Sequence, residues 1–103
     1  MPKFMFAFHG GKLPDSPEEG QRIMAKWGAW MAGLGADLAD PGSILAGART
    51  VSADGVTADG GADPLSGYMV IVAADHGAAV EIAKGCPIVE NEGRVEVANL
   101  VEM

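Results

Sequence analysis

From Tyr68 to Ala74 every residue is apolar, and Val70, Ile71 and Val72 are β-branched, which predicts a strand buried on both faces. Asp75 then offers an N-cap oxygen for a helix, Gly85 a left-handed residue to end it, and Pro87 an obstacle to restarting it. Near the start of the chain, Phe4, Phe6 and Phe8 alternate with Met5, Ala7 and His9. Only His9 breaks the apolar character of the second set, so residues 3–9 read as another strand covered on both sides or nearly so. Gly10-Gly11 ends it in a turn.

A helical period follows. Ser16 is placed to cap, Pro17 suits the first helical position, and Glu19 can reach back to complete a capping box. Ile23, Trp27, Trp30, Met31 and Leu34 then form a single apolar stripe, with Glu18, Gln21, Arg22 and Lys26 mostly off it. Gly28 and Gly33 each cost roughly 1 kcal/mol relative to alanine, tolerable if they let the helix lie close to a sheet. Gly35 is the expected stop. Beyond it the pattern weakens, with Asp40-Pro41-Gly42 as a turn. Residues 49–59 read as a hairpin around Asp54-Gly55, a pair suited to a type I′ turn. A loop over residues 60–64 leads into the apolar strand. After Asn91-Glu92-Gly93, Val95, Val97 and Val101 alternate with Glu96, Ala98, Leu100 and Glu102 as a last strand.

The order is strand, helix, strand or hairpin, strand, helix, strand, within one domain spanning residues 1–103. Two right-handed crossovers place both helices on one face of an antiparallel sheet, giving a ferredoxin-like α+β sandwich. The first strand and the 68–74 strand are expected at its centre. Neither has a polar face to offer water, so the uncovered side of the sheet calls for a second subunit: a homodimer.

Composition narrows the partners. Seven basic against fourteen acidic residues give a net charge of −7, which repels phosphate backbones and anionic lipid. Neither nucleic acid nor a membrane is therefore an expected partner. No apolar run is long enough to span a bilayer. Residues 1–9 lack the apolar segment and cleavage site of a secretory signal, and the single cysteine, Cys86, forms no intrachain disulfide. A cytoplasmic location is expected.

The second half carries a recognisable pattern: Gly67-Tyr68-Met69-Val70-Ile71-Val72, then Asp75, Ala79, Ala83-Lys84-Gly85-Cys86-Pro87, Gly93 and Val95-Glu96-Val97. It resembles the YCII-related (YciI-like) family. The run Trp27-Gly28-Ala29-Trp30 and the pair Asp59-Gly60 look like the subgroup named for a DGPF motif, although here the motif reads Asp59-Gly60-Gly61-Ala62. The resemblance implies a dimeric α+β barrel with a pocket between sheet and helices. It assigns no activity. YciI-like members proposed to be enzymes have a histidine on the first helix and an aspartate after the second, positions matched here by Trp27 and Cys86. The resemblance therefore brings no acid/base pair with it.

Among individual residues, His9 is the candidate general acid or base, ending a central strand beside a glycine turn. The plainer reading is a strand-end histidine bonded to a loop carbonyl. Trp27 and Trp30 are candidate walls of a ligand pocket, or core residues at helical spacing, and Tyr68 suits either the pocket or the dimer face. His76 reads as a surface or capping residue and Cys86 as a small buried hydrophobe. Two histidines without a ligand-like spacing suggest no metal site, and no cofactor motif is present. Three functions remain open: a ligand-binding dimer, a small enzyme using His9 on a partly apolar substrate, and a protein-interaction or regulatory module. A pocket containing His9 together with Trp27 or Trp30 is expected in the first two.

Overall fold

The computed structural model describes residues 1–59, 61 and 63–101. The first strand, β1, runs Lys3–Gly10, and the central apolar segment forms β5, Leu65–Val72. They pair antiparallel, with Phe4 opposite Ile71, Phe6 opposite Met69 and Phe8 opposite Gly67. Directly paired residues point to the same side of a sheet. The three phenylalanines, Met69 and Ile71 therefore make one continuous apolar floor, almost fully buried. The last strand, β6 (Gly93–Asn99), pairs with the other edge of β1 and adds Val95 and Val97 to that floor.

The first helix, α1, spans Pro17–Leu34. Ser16 caps it as expected, its Oγ accepting from the Glu19 amide at 3.2 Å. Glu19 reaches back one residue further than a capping box requires, accepting from the Asp15 amide at 3.2 Å. The stripe from Ile23 to Leu34 faces the floor, yet none of its residues is fully buried. Gly28 and Gly33 do not bring the helix closer. A methyl group at either would meet no atom within 4 Å, so both lie on the outer surface.

Residues 38–44, where a turn was expected, form an edge strand instead: β2, Leu38–Ile44, hydrogen-bonded to β5. The Asp40-Pro41-Gly42 signal is real but is spent inside the strand. Asp40 Oδ1 accepts from the Gly42 amide at 2.9 Å, and the register slips on either side of Asp40. An edge strand tolerates the missing amide of Pro41. Gly42 has φ 67°, and a Cβ there would lie 1.8 Å from the Tyr68 carbonyl oxygen, so only glycine fits.

The hairpin exists as a separate ribbon, β3 (Thr50–Ser52) and β4 (Gly55–Thr57), outside the main sheet. Its turn residues are Ala53 and Asp54 rather than Asp54 and Gly55, since Ser52 pairs with Gly55. Neither turn residue has positive φ, so the turn is not type I′; Gly55 alone takes the positive angle. Val51 and Val56 pair across it and stay exposed.

Asp75 caps the second helix, α2 (His76–Lys84), with Oδ1 2.8 Å from the Ala78 amide. Gly85 ends it at φ −87°, not in the left-handed region. The chain turns instead into a one-turn helix, α3 (Pro87–Glu90), with Pro87 in its first position. Pro87 blocks continuation of α2 but suits a new start, where its missing amide has no partner to lose.

The main sheet has the order β2-β5-β1-β6 and is antiparallel throughout. With α1 and α2 packed on the phenylalanine side, the fold is α+β and ferredoxin-like, with β1 and β5 central as expected. The opposite face presents Met5, Tyr68, Val70 and Val72, which stay half-buried, and Ala7, which its neighbours cover almost completely. Burial of β5 on both faces is thus not achieved within one chain.

Candidate functional site

Large side chains hold α1 away from the sheet. Trp27 meets Phe8 edge to face at 5.3 Å and Trp30 edge to face at 5.8 Å, so two rings stand between helix and floor. Toward the N-terminal half of α1 nothing of that size fills the gap. A cavity of about 1040 Å³ opens there, between α1 and the β2–β5 side of the sheet. That is at the upper end of the roughly 300–1,000 Å³ common for small-molecule sites. Ile23, Met24, Trp27 and Met31 form its helical wall, and Phe8, Gly67 and Met69 its floor. Pro41 to Ile44 supply the outer rim. Gly67 keeps the floor low: a Cβ there would stand 3.3 Å from the Phe8 ring and 3.1 Å from the Ser43 carbonyl. Gln21, Ser43, Ser66 and Tyr68 are the polar residues at its border, and no Asp, Glu, Lys, Arg or His is among the described lining residues.

Of the residues expected in a pocket, Trp27 and Tyr68 border this cavity, although Tyr68 pairs with Ala7 and so belongs by parity to the opposite face of the sheet. Trp30 lies elsewhere, its indole nitrogen 3.5 Å from where a Cβ on Gly85 would sit, joining α1 to the end of α2. His9 is on the other face of the sheet. Alternation along β1 puts it opposite to Phe8, so the expectation of one pocket holding His9 with an indole is corrected.

His9 instead forms a polar cluster at the end of the uncovered face. Its side chain is 11% exposed, with Nδ1 3.1 Å from the Asp63 carbonyl oxygen and Nε2 3.0 Å from Glu96 Oε1. Arg94 pairs with the Asp63 carboxylate. Both partners of the ring accept, so the imidazole satisfies both only with a proton on each nitrogen. Glu96 and Arg94 were legible only as outward positions of the last strand, and Asp63 as a loop residue. Shared parity with His9 was the available signal.

The remaining candidates are structural. His76 is exposed, with Nε2 3.0 Å from the Val97 carbonyl and its ring tilted against Phe4. Cys86 is buried, and desolvation pushes its thiol up to about 11, outweighing a hydrogen bond from the Ile88 backbone. Such a thiol is a poor nucleophile at neutral pH. Among the described residues, no group of three His, Cys, Asp or Glu side chains converges as metal ligands, and no helix is long and apolar enough to cross a membrane. Of the DGPF-like segment, Gly60 and Ala62 lie outside the described residues.

An antiparallel sheet with helices on one side and a cavity beneath the first helix defines a ferredoxin-like α+β class. Residues 4–103 match the YCII-related domain family, and the chain belongs to it. No curated protein matches the chain.

Proposed function

We propose that this chain is a small-molecule-binding protein of the dimeric α+β barrel type, using the cavity under α1 and lacking the acid/base pair of YciI-like enzymes. The observation that carries the reading is the open apolar cavity between α1 and the sheet, whose described lining includes no acid or base able to do proton transfer at neutral pH. Trp27 and Cys86, the positions matched to that pair, are an indole and a buried neutral thiol. We place the chain in the DGPF-type branch on Trp27-Gly28-Ala29-Trp30 and Asp59-Gly60. The dimer rests on the uncovered sheet face of Met5, Ala7, Tyr68, Val70 and Val72. Titration with the neutral apolar fluorophore N-phenylnaphthylamine tests the binding reading. Saturable binding that Met31→Asp abolishes is expected, and purely linear partitioning overturns it.

A second reading has its own observation. His9, held 3.0 Å from Glu96, would act as the general acid or base of an enzyme whose chemistry occurs on the uncovered face, between two subunits. Under that reading His9→Gln abolishes turnover of any substrate found, while N-phenylnaphthylamine binding persists.

A further inference from the structure

We infer that the β3–β4 ribbon is an arm that packs its Val51–Val56 face onto a second copy of this chain; the inference extends the proposed dimer and rests on it. The ribbon has two unlike faces. Val51 and Val56 pair directly and share one side. Thr50 and Thr57 share the other, where their hydroxyls donate to the Asp59 carbonyl at 3.1 and 3.2 Å. The hydroxyl face is thus satisfied within its own segment, while the valines are left 75% and 66% exposed. Neither joins the core. A lone two-stranded hairpin is marginal in water and becomes stable when an apolar face is packed.

Surface area and charge point to a second copy as the cover. The chain exposes 6802 Å², against about 5,400 Å² for a monomer of 10.5 kDa. The surplus exceeds the roughly 800 Å² that each partner commits to a standard interface. The radius of gyration, 14.8 Å against about 13 Å for a compact chain of this length, shows the same excess. The uncovered sheet face supplies only part of it, because Met5, Tyr68, Val70 and Val72 are already half-buried. Residues 43–59, by contrast, are exposed throughout. Within a chain of net charge −7, residues 43–58 carry only Arg49 and Asp54, which cancel. Two equally acidic copies meet there against the least repulsion. Each copy brings the same surplus, so one two-fold contact covers both arms.

Sedimentation equilibrium and amide hydrogen exchange on the full chain test the arm. Wild type should be dimeric at low micromolar concentration, with the amides of residues 50–57 exchanging more slowly in the dimer than after dilution to monomer. Val56→Lys should weaken the dimer at least about tenfold, the worth of one buried valine. Ser52→Lys adds the same charge on the hydroxyl face and should leave the dimer as tight as wild type. If the wild type is monomeric, the arm and the sheet-face dimer fail together. If it is dimeric but Val56→Lys associates as tightly, the arm alone is wrong. Equal effects of Val56→Lys and Ser52→Lys, or equally fast exchange of the ribbon in dimer and monomer, also overturn the arm and leave the sheet face as the contact.

Discussion

The two principal helices invert the usual relation between apolar content and burial. The long helix α1 carries Ile23, Trp27, Trp30, Met31 and Leu34, yet buries none of them completely. The short helix α2 carries little more than alanine toward the sheet, and buries Ala79 and Ala83 almost entirely. Side-chain size is the reason. Methyl groups let a helix backbone descend onto β1 and β6, whereas indoles prop it up and leave the space beside them unfilled. One helix closes the core, and the other roofs a cavity.

The sharpest way to break this comparison is through the apolar floor that both helices share. Ile71→Glu places a carboxylate in the fully buried floor and should cost more than about 4 kcal/mol, abolishing cooperative melting. Its neighbour Val70→Glu points to the uncovered face and should leave the fold intact while converting a dimer to a monomer in sedimentation. A wild type that sediments as a monomer at low micromolar concentration would end the dimer proposal.

Ala79→Leu should cost about 1–3 kcal/mol in denaturant unfolding, because Ala79 is completely buried against the sheet. A comparable enlargement under α1, Gly67→Ala apart, meets space instead. The α2 side also carries a pH signature. Cys86 is raised from 9.0 to about 11, so its burial is fully tolerated below pH 9 and is lost as an advantage between about 9 and 11, where the unfolded thiol ionises first. Stability should therefore fall across that window by at most about 2–3 kcal/mol, and Cys86→Ala should flatten the fall. On α1 the effects are smaller. Ser16→Ala removes the cap and should cost about 1 kcal/mol. Gly28→Ala, on an open surface, should gain roughly 0.5–1 kcal/mol. A loss there would mean that the outer face of α1 is covered in solution.

Much of the framework was legible because it depends on local rules. Ser16 and Asp75 cap where capping residues precede helical periods, and alternation alone brought β1 and β5 to the centre. The parts that were not legible depend on partners distant in sequence. Asp40-Pro41-Gly42 reads as a turn until β5 lies beside it and draws the segment into a sheet. Pro87 reads as a barrier until Gly85 has turned the chain away from the axis of α2. His9 and the tryptophans seemed neighbours because a strand end beside a glycine turn was expected to face the adjacent helix, but strand parity separated them by the thickness of the sheet. The cavity itself leaves no mark in the sequence, since it comes from what the side chains of α1 fail to fill.

The interrupted strand β2 has a consequence for the company the protein keeps at high concentration. A sheet edge is a row of unsatisfied amides and carbonyls on which another chain can crystallise strand upon strand. Here Pro41 removes one donor from that row, and the slipped register at Asp40 and Gly42 bends what remains out of line. The opposite edge, β6, bears Arg94 and Glu96. One border is broken and the other carries charge, so the apolar segments at the centre of the sheet are kept from nucleating a fibril through its rims.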